Sequence, residues 1–310
     1  MLNSHKICDP LVSIIIPVYN RAQLLSRAIR SVLNQVFQNF EVIVVDDGST
    51  DDIENVVKSF NDKRIRYIRH EERRGAPAAR NTGIRLARGK YIAFQDSDDE
   101  WHPEKLEKQM RAFENAPPDL GVVYTSFWRV ENGRKNYIPP SNFKQKEGYI
   151  HGILLETNFI STPTAIVKKE CFEKAGMFDE SLPRLQEWEL WIRISKYYRF
   201  KHIDEPLVNA YLQPDSISRN MNAWIMARKL ILEKHFEEIS KKPALLGKHY
   251  YEIGTLLCLN GEIEEGKSYF IKAIRAYPFN MKLLFSTFFS FLGEKAYSKV
   301  AKIYLDIKTR

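Results

Sequence analysis

Along the first hundred residues, short apolar runs alternate with stretches whose apolar positions recur every three or four residues. Val12 to Val18 is a β-branched run closed by Tyr19-Asn20-Arg21, the pattern of a buried strand followed by a loop. Leu25, Ala28, Ile29, Val32 and Leu33 then mark the apolar stripe of a helix. The alternation continues with a strand from Phe40 to Val45 and a helix through Ile53, Val56, Val57 and Phe60. A strand from Ile65 to Ile68, a helix from Pro77 to Ala87 and a strand from Lys90 to Phe94 follow. This order predicts an α/β fold, a mostly parallel sheet flanked by helices. Ligands of such sheets bind beyond the carboxyl ends of the strands. The loops after Val18, Val45 and Phe94 should therefore share one edge and bring Tyr19, Asp47 and Asp98 together.

Pro103 opens a further helix carrying Leu106, Met110 and Phe113, and Gly121 to Phe127 reads as a strand. Trp128 to Ile150 is irregular and contains Pro139-Pro140, which suggests a loop or hairpin beside the site. A strand at Thr164 to Val167 and a helix at Lys169 to Ala175 lead to the segment Leu185 to Ile194. After Asn220 only helical patterns remain, at Ala223 to Glu238, Pro243 to Leu259, Ile263 to Ala276 and Met281 to Leu305. The expected division is a catalytic domain over residues 1–220 and an all-helical C-terminal region over 221–310. Gly247 to Pro278 resembles one helix-turn-helix unit of the tetratricopeptide kind, too little for a free-standing solenoid. The last helix sets Leu284, Phe288 and Phe289 beside Lys282, Lys295 and Lys299. It either buries its stripe on the preceding helices or lies on an anionic membrane.

The 47 Lys and Arg against 39 Asp and Glu give a net charge of +8, which favours an anionic partner. The basic residues are scattered and no recognition module is visible, so nucleic acid is not the expected partner. Cys8, Cys171 and Cys258 are widely spaced without a CxxC pair. They suit a reducing cytoplasm and speak against structural zinc. No signal-length apolar run opens the chain and no window approaches ~18 apolar residues. The expectation is a cytoplasmic protein, soluble or peripheral at the inner face of the plasma membrane.

Asp96-Ser97-Asp98-Asp99 follows the apolar run Tyr91 to Phe94. Clustered like charges at a strand end oppose folding unless a cation joins them. A solvated turn explains one such cluster, but not acidic loops gathered after particular strands. Hard oxygen ligands suit Mg²⁺ or Mn²⁺ carrying a phosphorylated ligand. A phosphatase of the haloacid dehalogenase kind would need DxDGT where this chain has Asp46-Asp47-Gly48-Ser49-Thr50. A dinucleotide fold would need glycines that Pro17 to Arg21 lacks.

Taken together, Val12 to Asn20, Val44-Val45-Asp46-Asp47-Gly48-Ser49, Gly75 with Ala79-Arg80-Asn81-Thr82-Gly83, the acidic cluster and Glu187-Trp188 resemble the family 2 glycosyltransferases in order and spacing. The resemblance covers roughly residues 10–215. It implies the GT-A fold, a nucleotide-diphosphate sugar donor, a divalent cation and inversion at the anomeric carbon. Pro17, Tyr19 and Asn20 match the loop that holds base and ribose, and Asp47 matches the acceptor of the uracil imino N–H, which points to a UDP-sugar. Arg80 lies where a guanidinium meets base or diphosphate. Asp96 matches the residue that faces ribose and, through water, the metal; Asp98 matches the direct metal ligand. Asp99 is a candidate for a sugar hydroxyl.

Glu187 matches the general base, with an ordinary Glu titrating near ~4.3 and ionised at neutral pH. Glu189 is a second candidate, about 200° away around a helix. Relatives often carry a basic residue and a His where Tyr211 and Gln213 stand, and Arg219 or Lys201 are the candidate substitutes. The implied acceptor is a glycan or lipid-linked hydroxyl in cell-surface polysaccharide synthesis. The alternative is a catalytically degenerate nucleotide-sugar-binding scaffold.

Overall fold

The computed structural model describes residues 9–278 except 141–142, 144 and 214–219. The helix expected over Met281 to Leu305, and Arg219, lie outside the described residues. The chain forms two compact units. One runs to Glu180 and includes Gln186–Gln213; the other comprises Ser181–Leu185 and the residues after Gln213.

The first unit is built on a nine-stranded sheet. Its strands are β1 (Val12–Val18), β2 (Phe40–Asp46), β3 (Ile65–Arg69), β4 (Tyr91–Phe94), β5 (Glu100–Trp101), β6 (Leu120–Glu131), β7 (Arg134–Ile138), β8 (Ala165–Lys168) and β9 (Arg199–Tyr211). They run in the order β3-β2-β1-β4-β8-β6-β9-β5, with β7 paired to β6. The pairs of β1 with β2 and β4, and of β2 with β3, are parallel. From β4 onward the sheet is mixed: β8 is antiparallel to β4 and β6, while β9 is parallel to β6. The chain leaves β1 toward β2 and returns to its other side as β4. In sheets of this kind such a reversal marks the place, at the carboxyl ends of β1 and β4, where ligands bind.

Every residue of β1 and β2 is buried, as expected for parallel strands covered on both faces. Helices α1 (Ala22–Leu33), α2 (Ile53–Lys58) and α3 (Ala76–Leu86) make the crossovers. Leu25, Ile29 and Val32 of α1 join Ile14 and Ile16 in one core cluster. Ile15 points the other way, against Gly83 of α3, where a Cβ would lie 2.5 Å from its Cγ2. Gly83→Ala is therefore expected to destabilise the protein by about 1–3 kcal/mol, read as a lower urea midpoint. Helices α4 (Lys105–Phe113), α5 (His151–Leu154), α6 (Glu170–Ala175) and α7 (Gln186–Ile194) complete this unit.

The first part of the irregular stretch, to Ile138, belongs to a hairpin of β6 and β7. Two strands lacked a sequence signal. β5 is two residues long, and β9 carries Pro206, beside which its pairing with β6 shifts register, so its period-2 pattern is broken. In the second unit, α8 (Met221–Lys234), α9 (Phe236–Ser240), α10 (Pro243–Leu259) and α11 (Ile263–Ala276) follow one another. The helix expected over Ala223 to Glu238 is interrupted at His235. Cys258, Phe270 and Ala273 form the core between α10 and α11. No described helix is long and apolar enough to cross a membrane.

Candidate active site

The loops after β1 and β2 are fastened to each other. The Asn20 amide donates to Ser49 Oγ at 3.0 Å and the Thr50 amide to Asn20 Oδ1 at 2.8 Å. Asn20 is left-handed (φ 49°), a conformation Asn tolerates. Pro17 is buried inside β1, beside Val45. Neighbouring aspartates do different work. Asp46 turns inward, accepting the Ser49 amide at 2.8 Å and the Tyr67 hydroxyl at 2.6 Å. Asp47 accepts the amides of Arg74 (2.9 Å) and Gly75 (2.7 Å) and His70 Nδ1–H (2.8 Å). Gly48 must be glycine: its φ is +76°, and a Cβ there would stand 3.0 Å from the Arg73 amide. The Arg73 guanidinium lies over the Tyr19 ring, 4.2 Å from its centroid. His70, Arg73 and Arg74 were not foreseen, because a polar run after a strand reads as an ordinary loop.

At the acidic turn, Arg21 pairs with Asp98 at 2.6 Å and Arg80 with Asp96 at 2.8 Å. Arg27 donates to the Asp98 carbonyl and lies 4.1 Å from the centroid of the Tyr211 ring. Burial, and next the charge of Asp96, push the Asp98 carboxyl up to about 6 against the pull of Arg21 and Arg27. Asp99 is 5% exposed and accepts the Tyr211 amide at 2.9 Å. Burial foremost, then Asp96 and Asp98, raise its carboxyl well above the usual range. Carboxylates whose charged forms are disfavoured in this way suit a hard cation, and the donor set fits Mg²⁺ or Mn²⁺. Among the described residues no group of three His, Cys, Asp or Glu is gathered to hold a metal. Lys201, a suggested substitute cation, is paired instead with Glu147 at 2.8 Å.

Glu187 stands in the first turn of α7 and accepts Asn158 Nδ2–H at 2.8 Å. Trp188 and Trp191 are buried, their indole N–H groups donating to the carbonyls of Leu154 (2.6 Å) and Ile160 (3.0 Å). Glu189 is 2% exposed and ion-paired with Arg193 at 2.8 Å. That engagement makes it a packing charge and leaves Glu187 as the candidate. The expectation of an ordinary carboxyl at Glu187 needs correction. Burial raises it, Arg80 opposes and Asp96 adds to the rise, which also places Glu187 within the electrostatic reach of the acidic turn. A base must be ionised to act, so activity is expected to fall as pH drops through a limb above ~4.3. Arg80→Gln removes the opposing charge and should move that acid limb to higher pH, read from the pH profile of kcat/KM.

The profile of Glycosyl transferase family 2 matches residues 13–176. An uncharacterized glycosyltransferase of Rickettsia bellii is 37% identical over 209 residues, 67% of this chain and 30% of that protein. The chain likewise spans only 36% and 47% of the relatives from Rickettsia felis and Rickettsia conorii. The putative colanic acid biosynthesis glycosyl transferase WcaA of Escherichia coli K12 is 34% identical over 197 residues, 61% of this chain and 68% of that protein. Among solved structures, Staphylococcus aureus TarS 1–349 in complex with UDP-GlcNAc superposes with a TM-score of 0.70 at 22% identity, covering 95% of this chain and 91% of that one. The mannosyltransferase PcManGT of Pyrobaculum calidifontis, in complex with GDP-Man and Mn²⁺, gives 0.59 at 20% identity, covering 95% and 86%. These likenesses establish the GT-A fold. The family match covers more than half of the chain, and the chain belongs to glycosyl transferase family 2.

Proposed function

We propose that this chain is an inverting, metal-dependent glycosyltransferase. It would move a sugar from a UDP-sugar to a hydroxyl of a glycan or lipid-linked acceptor. The observation that carries the reading is the convergence at one sheet edge. Asp47 follows β2, Asp96 and Asp98 follow β4, and Glu187 feels the charges of Arg80 and Asp96.

The base site favours uridine by a count of lone pairs. A carboxylate offers about four acceptor positions, and three donors already occupy Asp47: His70 and Arg74 on Oδ1, Gly75 on Oδ2. One position remains, enough for the single imide N–H of uracil but not for the paired N–H donors of guanine. Tyr19 offers a ring face to a flat base, while Pro17 and Asn20 set the loop that carries it.

In the proposed reaction the acceptor oxygen bonds to the anomeric carbon as the bond to the diphosphate oxygen breaks. Glu187 takes the hydroxyl proton and the nucleoside diphosphate leaves with the electron pair. Asp98, with Asp96 behind it, would hold the cation; when bound, the cation neutralises the charge developing on the leaving group. Arg80 is placed to meet the diphosphate. Asp99 accepts the Tyr211 amide on Oδ1, and its Oδ2 is the atom proposed for a sugar hydroxyl.

The likeness to WcaA supports an acceptor in polysaccharide synthesis, and a lipid-linked acceptor would place the enzyme at the inner face of the plasma membrane. Every residue given a role lies in the proposed catalytic region 1–220; the helical region 221–310 carries none. A panel of sugar nucleotides with Mn²⁺, followed by thermal shift, tests the reading, since a bound ligand raises the melting temperature by mass action. Stabilisation by a UDP-sugar above its GDP counterpart is expected. No response to any sugar nucleotide would sink the reading.

A further inference from the structure

Asn81, buried in the middle of α3, has no part in the proposed chemistry, yet its side chain is bonded through both polar atoms. Its Oδ1 accepts the Phe178 amide at 2.9 Å, and its Nδ2 donates to the Phe178 carbonyl and to Glu180 Oε1, both at 2.9 Å. A side-chain amide that meets the N–H and the C=O of one residue holds it as a paired strand residue would. The other oxygen of Glu180 faces Arg74 Nη2 at 3.5 Å, and the Arg74 amide is one of the donors on Asp47. The buried Phe178 ring stands edge-on to Phe94, the last residue of β4, with centroids 5.3 Å apart. The Arg80 guanidinium lies 5.5 Å from the Phe178 centroid.

The same segment is held to α7. Arg193, in the last turn of that helix, donates to the carbonyl of Ala175 and, at 2.7 Å, to that of Met177, while its ion pair with Glu189 orients the guanidinium. Residues 175–180 are thus gripped from two sides, by Arg193 of α7 and by Asn81 of α3. We infer that Asn81, together with Glu180, is a positioning residue: by clasping Phe178 it sets where α7 stands against α3, and so where Glu187 meets the reacting groups. This rests on the functional reading above, with Glu187 as the base.

The test takes the full chain with Mn²⁺ and the UDP-sugar that stabilises wild type most in the panel above, with water as acceptor, and follows hydrolysis beside equilibrium binding of UDP. Asn81→Ala should lower the rate at saturating donor about 10²-fold, the cost of misplacing a reacting group by roughly 1 Å, and leave UDP affinity within about threefold of wild type. Because Asn81 acts through Glu187, the two changes should not add: in Glu187→Gln, Asn81→Ala should lower the residual rate less than about threefold. An unchanged rate, a drop of equal size in both backgrounds, or a UDP affinity that falls with the rate overturns the inference; the last two mark a merely structural residue. Glu180→Ala, at an exposed position, should show the same pattern with a drop of about tenfold. Should Asn81→Ala fail to fold, an unchanged rate in Glu180→Ala overturns the inference. Wild type that hydrolyses no UDP-sugar, or Glu187→Gln that hydrolyses at the wild-type rate, removes the functional reading instead, and the inference with it.

Discussion

Glu187→Gln is expected to lower glycosyl transfer about 10²–10⁴-fold, the usual contribution of a general base, while UDP-sugar affinity stays near that of wild type. Gln keeps the length of the side chain and can still face Asn158 Nδ2, which bonds Glu187 Oε1 at 2.8 Å, through its own carbonyl oxygen. The fold around Trp188 and Trp191 is then undisturbed, and what disappears is the capacity to take a proton. Single-turnover transfer beside equilibrium binding of UDP-sugar separates the two. Retained transfer would move the base elsewhere, and Glu189 offers no ready replacement while Arg193 holds it at 2.8 Å.

Asp98→Ala should be comparably damaging by a different route, with transfer and sugar-nucleotide hydrolysis both falling about a hundredfold or more, as when one preorganised electrostatic contact to a transition state is removed. The variant deletes the proposed metal ligand and, with it, the ion pair between Asp98 and Arg21. Added Mn²⁺ should no longer stimulate the variant. If wild type and variant are equally inactive on every donor while both bind nucleotide, the scaffold reading takes the place of the enzyme.

Much of this was legible in the residues because strand and helix periods are local. β1, β2 and the crossovers between them need only the spacing of Ile, Val and Leu to be recognised. The pairing rule of parallel sheets then sends their loops to a common edge. The acidic turn was equally visible, since three carboxylates in four positions are abnormal wherever they fall. β9 was not legible: Asp204, Glu205 and Pro206 interrupt its pattern, and its partner β6 lies some eighty residues earlier. Partners of this kind are chosen by long-range packing and leave no local period.

The amino-acid order therefore settled the strand and helix alternation from β1 to β4 and where its loops must gather, and it supplied the candidate carboxylates. It could not rank Glu187 against Glu189, because neighbouring charges on one helix differ only in what the rest of the chain brings to them. Folding gives Glu189 an arginine and Glu187 a partly buried place within the electrostatic reach of Arg80 and Asp96. Nor could it show that His70 and the Arg74 and Gly75 amides fill most of the Asp47 carboxylate. Which donors surround a carboxylate is decided by backbone approaching from another strand, and that is a property of three dimensions.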